Sequence, residues 1–528
     1  MLLCGLMVLS TGGFMSKKKS KTILLIVLLC ALVLRLAGIT HGFPFIFHPD
    51  EPTIVRSALG IRFNLNPKHF DWPHLYMYLN YFLYMMFSRC RNMLGILGIR
   101  NAVSTLFPLV WNDDLVFYFL TRCFSAILGA LTVIPVYLSA RKLFNEKAAL
   151  FSAFCMAFLP YHVWHSHYSL GDVPMVFFLS WGLYFSCLIL NDSKIKNYVL
   201  SGLFIGLSAS TKYNGGLSAL MVPTAHFLRV LGAVKMSGKK VKILDFKGIL
   251  ALILSGFSAL VGFLIGTPYA LLDFKTFSRT DGPKGAFWQF TNVGSIGFTK
   301  HFTQFFNELF VSVSSNMGWV TILAYVLTFF YLMFTVLKKK NNEVIHKLMF
   351  LYINSLFLFW YISGFKNTRA HYYFVFYPFA AVIFGFFVSK VNDWLLAKKK
   401  LYSSLFILLM CLPLVIFSIK NSYSFYKGDT RNDLYNWLVL NLKVGENIFY
   451  NDIKASDVFD KLQVNAKKGF DNLTTTNSAL VIVLDPENST DFLAKNSSYL
   501  TKEKSFSNNL RLGPNIEIYR YQNEKFTK

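Results

Sequence analysis

Long apolar runs separated by short polar segments occupy most of the chain. Each run holds about 18 to 20 residues, the length that a helix needs to cross the hydrocarbon core of a bilayer. The pattern therefore predicts a polytopic α-helical membrane protein with about 11 transmembrane helices. The predicted spans lie at residues 22–40, 117–140, 147–167, 173–190, 248–266, 309–336, 347–364, 372–389 and 401–419, with a hairpin of two short spans at 197–231.

Basic residues cluster between these spans, at 17–19, 235–242, 338–340 and 398–400. Because cytoplasmic loops are enriched in Lys and Arg, we place all four segments on the cytoplasmic side. A single crossing at 197–231 would move one of them outside, so we predict a tight hairpin there with its tip near 210–216. This topology leaves residues 41–116 and 267–306 as the major external loops and the C-terminus outside.

The pattern changes near residue 420, where apolar runs give way to Asn, Asp and Lys. The segment NDLYNWLVLNLK has helical periodicity, and the segments NIFYND, ALVIVLD and IEIYRY are typical of short strands. We therefore divide the chain into a transmembrane module at 1–420 and a small extracytoplasmic α/β domain at 421–528.

Composition supports the membrane interpretation. The 528 residues are 54% hydrophobic and 15% charged, with a mean hydropathy of +0.43, which excludes a soluble globular protein. A net charge of +26 is typical of nucleic-acid binding in soluble proteins, but here much of the surplus lies between spans and favours anionic lipid. We predict membrane lipids as partners and no nucleic acid.

The seven cysteines show no CxxC spacing, so neither a disulfide framework nor a zinc–thiolate site is expected. Met15 opens a basic stretch and is an alternative start to Met1.

An acidic pair, Asp50 and Glu51, opens the first external loop in the sequence HPDEP. His48 and Glu51 each precede a proline, which disfavours helix, so we expect a stiff extended loop that presents both carboxylates. The alternative is a solvated acidic pair without a further role.

Further ionisable residues fall at the same predicted membrane boundary. Asp172 begins a span, Lys212 lies at the hairpin tip, and Arg369 joins two later spans. Such groups cost roughly 2.5 to 3.5 kcal/mol in the membrane, so they usually pair or serve a site. Simpler alternatives are a helix N-cap for Asp172, an interfacial lysine for Lys212 and an ordinary loop charge for Arg369.

Three histidines, His162, His165 and His167, follow each other closely. A helix directs side chains two positions apart to different faces, and no acidic partner occurs at ligand spacing. We therefore predict interfacial packing and no metal site.

The order of several motifs resembles that of the GT-C class of membrane glycosyltransferases. The nearest members are the dolichyl-phosphate-mannose protein mannosyltransferases and the bacterial aminoarabinose transferases that modify lipid A. The resemblance covers most of the chain up to about residue 450. The motifs that carry it are the Asp50-Glu51 pair, FDWPHLYMYL, YSLGDVPMVFF, STKYNGG, PYALLDF, RAHYYFVFYP and DTRNDLYNWLVLN.

The resemblance implies a GT-C-like fold and an enzyme. Its activity would be transfer of a sugar from a polyprenyl-phosphate donor to a hydroxyl of a protein, lipid or glycan acceptor, with inversion. The site and the C-terminal domain would face the extracytoplasmic side of the plasma (inner) membrane. By the same resemblance Asp50 is the general base, Glu51 orients the acceptor and Asp172 supports the acceptor side. Opposite roles for Asp50 and Asp172 are the alternative.

The residues that the resemblance assigns to the donor phosphate are Lys212, Arg369, His371, Tyr372 and His74. His74 enters this set because many relatives carry His-Pro-Pro-Leu or Lys-Pro where this chain has Trp-Pro-His-Leu. No cofactor is predicted to be required, and a divalent cation is left as an alternative.

Two other classes of protein compete with this interpretation. A transporter or flippase of a lipid-linked substrate predicts charges near mid-span and repeated halves, and the sequence shows neither. A membrane scaffold that displays the C-terminal domain predicts no requirement for Asp50.

Overall fold

The computed structural model describes residues 16–237, 245–338 and 343–523. The choice between Met1 and Met15, and most of the basic segment at 235–242, lie outside these residues. Internal contacts divide the chain into two units. The first contains the residues up to Leu36 together with Asp50–Ile419, and the second contains Ala37–Pro49 together with Lys420–Lys528.

Among the described residues the long regular elements of the first unit are helices, and the last of them continues past Ile419 into residues of the second unit. Its helices are α1 (Lys17–Leu36), α2 (Glu51–Gly60), α3 (Leu75–Ile96), α4 (Arg100–Leu106), α5 (Val116–Leu131), α6 (Val133–Leu143), α7 (Glu146–Ala157), α8 (Pro160–His165), α9 (Asp172–Ile189), α10 (Ile195–Thr211), α11 (Met221–Ser237), α12 (Phe246–Gly266), α13 (Tyr269–Leu272), α14 (Phe274–Phe277), α15 (Ala286–Val293), α16 (Phe298–Asn307), α17 (Val313–Met317), α18 (Trp319–Leu337), α19 (Glu343–Ser363), α20 (Tyr377–Leu396) and α21 (Lys400–Lys427). Tight 3-10 turns lie at Tyr213–Leu220 and Ala370–Phe376.

Seven helices among the described residues are long and apolar enough to cross a membrane. They are Val116–Leu143, which joins α5 and α6, Asp172–Ile189, Phe246–Gly266, Trp319–Leu337, Glu343–Ser363, Ala370–Leu396, which joins the 3-10 turn and α20, and Lys400–Lys427. The predicted class of polytopic helical membrane protein is thereby confirmed, while the number of about 11 spans stays a prediction.

Helices also occupy the other predicted spans, but each is shorter or more charged. The helix α1 begins with a lysine cluster, and α10 and α11 have 17 described residues each. Two predicted boundaries are wrong. The span at 147–167 is interrupted before Pro160, and the span at 309–336 begins as a regular helix only at Trp319, because Gly318 adopts a left-handed φ of 84°.

Two helices approach each other closely where α10 packs against α12. Gly202 and Gly206 lie one turn apart on α10, and a Cβ at Gly206 would lie 2.0 Å from the carbonyl oxygen of Ala259. Small residues at such positions allow the backbones of membrane helices to come into contact. This contact fixes the end of α10, where Lys212 follows.

The second unit is a small α/β domain. Helix α22 (Thr430–Asn441) precedes strands β1 (Ile448–Tyr450), β2 (Ala466–Lys468), β3 (Ser478–Leu484), β4 (Leu500–Phe506) and β5 (Ile516–Gln522), with helices α23 (Ser456–Leu462) and α24 (Thr490–Lys495) between them. The sheet order is β2-β1-β3-β5-β4, and β1 is parallel to β2 and β3, whereas β5 is antiparallel to β3 and β4. The predicted C-terminal α/β domain is confirmed, and β2 and β4 are additional strands.

The segment before Asp50 belongs to this second unit by its contacts. Phe45 is buried in its core, and its ring contacts that of Tyr435 on α22 at a centroid distance of 5.2 Å. The guanidinium of Arg431 lies 3.6 Å above the ring of Phe47. Residues at the predicted start of the first external loop therefore help to build the C-terminal domain.

A candidate active site in the first unit

A cavity of about 320 Å³ lies within the first unit and collects residues from distant parts of the chain. Five of the eight residues proposed from the sequence line it. They are Asp50, Lys212, Arg369, His371 and Tyr372. The remaining three, Glu51, Asp172 and His74, lie buried outside the lining.

Asp172 and Lys212 form a buried ion pair at the cavity wall. The ammonium group of Lys212 donates to Oδ1 of Asp172, and the side chain of Asp172 is 1% exposed. Asp172 is the first residue of α9, where a negative charge is favoured by the helix dipole, and Gly171 rather than Asp172 takes the N-cap position. Lys212 is therefore ion-paired with Asp172 and is not an unpaired lysine at the membrane interface.

Two aromatic rings lie close to the ammonium group of Lys212. The ammonium nitrogen of Lys212 lies 5.3 Å from the ring centroid of Trp72 and 5.5 Å from that of Tyr372. Cations are attracted to such ring faces, and the attraction grows when water is excluded. The positive charge is therefore held at one point of the cavity wall, where an anionic group can meet it.

A second cation lies at the start of the 3-10 turn Ala370–Phe376. Arg369 is extended and exposed, and within the described residues its guanidinium has no ion-pair or hydrogen-bond partner. His371 follows, with its ring 5.2 Å from that of His165 and 4.8 Å from that of Tyr372. Arg369 can therefore bind an oxyanion in the cavity through a planar pair of N–H groups.

Glu51 has a different environment from Asp50, and the expected extended loop is wrong. Glu51 begins helix α2, with the following proline in the first turn, a position that helices favour. Its carboxylate is fully buried and accepts two hydrogen bonds from Arg122, at 2.8 Å from Nε and 2.7 Å from Nη2. The backbone N–H of Ser169 donates a third, at 2.8 Å. Glu51 therefore anchors the start of α2, next to Asp50.

His74 is likewise not placed to meet a phosphate. It is fully buried, and its Nε2 donates to the carbonyl oxygen of His69 at 2.7 Å. Burial lowers the pKa of His74 to about 4, against the opposing effect of that hydrogen bond. The imidazole is neutral at physiological pH and supplies no cation.

Several residues at the site were not singled out from the sequence. Arg122 was detectable in principle, because an arginine inside a predicted span usually has a partner or a role. Other residues that line the cavity received no individual role: Asp71, Trp72, Tyr213 and Asn214, which lie within the motifs FDWPHLYMYL and STKYNGG, and Gln289, Asn292, Tyr361 and Phe365. A motif marks a segment of the chain, but it does not indicate which of its side chains reach the cavity.

The three closely spaced histidines separate in the structure. Nδ1 of His162 lies 3.0 Å from Nη2 of Arg35, and Nδ1 of His167 lies 2.9 Å from the carbonyl oxygen of Val163. His165 instead faces the ring of His371. Throughout the described parts of the chain, no group of three or more His, Cys, Asp or Glu residues is arranged to hold a metal ion.

Comparison with known proteins agrees with this architecture. Residues 118–265 match the family model described as dolichyl-phosphate-mannose-protein mannosyltransferase. The chain is 31% identical over 163 residues to dolichyl-phosphate-mannose–protein mannosyltransferase 1 of Saccharomyces cerevisiae. That alignment covers 29% of this chain and 18% of the yeast protein, so the chain matches less than a fifth of this relative's length.

One solved structure resembles nearly the whole chain in fold. The oligosaccharyltransferase AglB from Archaeoglobus fulgidus, in complex with an inhibitory peptide and a dolichol-phosphate, superposes with a TM-score of 0.50 at 14% identity, covering 92% of this chain and 73% of AglB. ArnT from Cupriavidus metallidurans, bound to undecaprenyl phosphate, gives a TM-score of 0.48 at 12% identity over 96% of this chain and 98% of ArnT. The chain is therefore a polytopic membrane protein with the GT-C fold, and the resemblance to GT-C membrane glycosyltransferases expected from its sequence is confirmed.

Proposed function

We propose that this protein transfers a sugar from a polyprenyl-phosphate donor to an acceptor hydroxyl, with inversion at the anomeric carbon. The observation that carries the proposal is the lining of the cavity. A carboxylate, Asp50, and two cations, Lys212 and Arg369, line the same cavity. These are the groups that a displacement at a glycosyl phosphate requires, namely a base for the hydroxyl and positive charge for the departing phosphate.

In this reaction the acceptor oxygen attacks the anomeric carbon and transfers its proton to Asp50. The bond between that carbon and the phosphate oxygen breaks, and polyprenyl phosphate leaves with both electrons of the bond. A positioned carboxylate contributes about 10² to 10⁴ in rate, provided that it is held within reach of the proton. Glu51 serves that positioning, because its three hydrogen bonds fix the helix start that follows Asp50.

The leaving phosphate gains negative charge as the bond breaks, so cations around it lower the barrier. Lys212 and Arg369 supply that charge, while Asp172 orients Lys212 rather than touching the acceptor. The ring of His371 and the hydroxyl of Tyr372 complete the donor-phosphate side of the cavity. His74 is omitted from this set because it is neutral and buried.

The membrane-spanning architecture suits a donor whose tail stays in the bilayer. The matched family and the yeast relative are named for dolichyl-phosphate-mannose and for protein acceptors. We therefore take a polyprenyl-phosphate hexose as the donor class and a protein hydroxyl as the first acceptor to test. The site and the C-terminal domain face the extracytoplasmic side of the plasma membrane, as the distribution of basic residues predicts.

The test uses purified full-length protein and radiolabelled polyprenyl-phosphate sugars, with release of polyprenyl phosphate and labelling of acceptors in crude membranes as the readouts. We expect at least one donor to be consumed and its sugar to appear on an acceptor with inverted configuration. A Lys212→Met variant should lose donor binding. Failure of every donor to bind or react would overturn the proposal, and movement of an intact donor across vesicles would support a flippase instead.

A further inference from the structure

A hydrogen-bonded chain of three side chains ends at the cavity. Oγ of Ser57 lies 2.9 Å from Nε2 of His69, and Nδ1 of His69 lies 2.5 Å from Oδ1 of Asp71. An ionised carboxylate only accepts hydrogen bonds, so Nδ1 of His69 donates to Asp71, and Nε2 forms the hydrogen bond with the serine hydroxyl. Both ring nitrogens are thereby satisfied, and the orientation of the Asp71 carboxylate is fixed.

The backbone around Asp71 is held at several points as well. The N–H of Phe70 donates to the carbonyl oxygen of Lys284 at 2.6 Å, and its own carbonyl oxygen accepts from the hydroxyl of Tyr213 at 2.7 Å. The carbonyl oxygen of His69 accepts from His74. Because hydrogen bonds hold this loop on both sides of Asp71, the carboxylate cannot move away from the cavity without breaking some of them.

One oxygen of this carboxylate is left for a ligand. Asp71 lines the cavity and is about a quarter exposed, and Oδ2 accepts no hydrogen bond from the described residues. Trp72 lines the cavity directly after it, close to the ammonium group of Lys212. A fixed acceptor beside an indole ring suits a pyranose, whose hydroxyls donate hydrogen bonds and whose C–H face packs on aromatic carbon.

We propose that Asp71 and Trp72 form the subsite for the sugar ring of the donor, with His69 and Ser57 as positioning residues. This inference rests on the proposed function, since it specifies which part of the donor binds where. The free oxygen of Asp71 accepts a hydrogen bond from a ring hydroxyl, and Lys212, beside Trp72, meets the phosphate. The sugar specificity of the protein is therefore set by Asp71 and not by the phosphate-binding residues.

Binding measurements on the full-length protein separate the sugar from the phosphate. We expect Asp71→Asn to weaken binding of polyprenyl-phosphate mannose roughly 10- to 100-fold, the effect of losing a hydrogen bond to a charged acceptor. Polyprenyl phosphate without a sugar should bind to this variant as to wild type. Asp281→Asn, which removes an exposed carboxylate that does not line the cavity, is the matched control and should change neither constant.

Deoxy donors then identify the contact by a double-mutant cycle. One monodeoxy mannose donor should bind wild-type protein more weakly than the full donor does, by the same factor as that by which Asp71→Asn weakens binding of the full donor. The Asp71→Asn variant should bind this deoxy donor and the full donor equally. Equal losses for both proteins with every deoxy donor would overturn the subsite. A fall in kcat with unchanged donor affinity would also overturn it, because that result would make Asp71 a second base.

The positioning role has its own test. His69→Asn keeps an N–H near the place of Nδ1 and should retain most of the donor affinity, whereas His69→Ala should approach the affinity of Asp71→Asn. Equal affinities for these two His69 variants would contradict the role of the ring. If wild type binds no polyprenyl-phosphate sugar, the proposed function and the subsite both fail. If wild type binds and transfers while Asp71→Asn matches it, only the subsite fails.

Discussion

Lys212 and Asp172 join the end of α10 to the start of α9 through a buried ion pair. The side chain of Asp172 is 1% exposed and that of Lys212 is 13% exposed. The two residues lie 40 positions apart along the chain. The pair therefore connects the stability of the helix bundle to the position of a cation in the cavity.

Removal of the lysine alone should be costly. Lys212→Met leaves a buried carboxylate without its partner, which typically costs about 3 to 5 kcal/mol and should lower Tm clearly. The double variant Lys212→Met with Asp172→Asn should recover much of that Tm but should still fail to bind polyprenyl phosphate. Thermal unfolding and binding of the same preparations check this, and recovery of binding in the double variant would contradict the phosphate role of Lys212.

The buried pair of Glu51 and Arg122 should affect the rate of transfer and not the affinity for the donor. Arg122→Lys keeps the charge opposite Glu51 but loses the two-pronged contact, which an ammonium group cannot reproduce. We expect kcat to fall about 10-fold, because each 1.4 kcal/mol of lost positioning is tenfold in rate, while donor affinity stays near wild type. Steady-state kinetics with equilibrium binding distinguish the two effects. An unchanged kcat would remove the link from this pair to Asp50.

The buried imidazole of His74 predicts an acid-dependent loss of stability. The unfolded chain protonates this residue near pH 6.5, whereas the folded protein does so only near pH 4. The unfolded state binds more protons in that interval, so the contribution is present above pH 6.5 and is lost as the pH falls, on the order of 3 kcal/mol in all. His74→Gln keeps a donor for the carbonyl of His69 and should reduce the fall in Tm between pH 7 and 4.5. Identical pH profiles would contradict this account.

Helix packing gives a prediction that is independent of the site. Gly206→Ala places a methyl group against the carbonyl oxygen of Ala259, and such overpacking typically costs about 1 to 3 kcal/mol. Gly256→Ala, on the partner helix α12, meets nothing within 4 Å and is the matched control. Thermal unfolding should show a lower Tm for the first variant and an unchanged or slightly higher Tm for the second. Equal Tm values would show that the two helices adjust freely.

The long helices were predictable because apolar runs of membrane length leave the backbone few alternatives. The interruptions of these helices were less predictable from the sequence. Gly318 and Pro160 interrupt them through their backbone conformation, and hydropathy contains no information about that conformation. The C-terminal domain was identified from its strands with alternating or continuous apolar residues. Strands β2 and β4, which are largely exposed, carry no such pattern.

At the site, motif order was enough to bring Asp50 and Lys212 to one cavity, but not to assign their neighbours. The rule against helix before proline failed at Glu51, because the buried contact with Arg122 and the favourable first-turn proline outweigh it. Asp71 lies within the motif FDWPHLYMYL, but the position of its carboxylate depends on the side chains of His69 and Ser57. The contact of Glu51 with Arg122 joins residues 71 positions apart along the chain, and no local pattern indicates it.

The central claim is that Asp50 removes the proton of the acceptor hydroxyl. The most direct measurement is sugar transfer from a bound polyprenyl-phosphate hexose by wild type and by Asp50→Asn, with donor binding determined for both. We predict equal donor affinity and a fall in transfer of about 10² to 10⁴ for the variant. Transfer by Asp50→Asn at the wild-type rate would contradict the account.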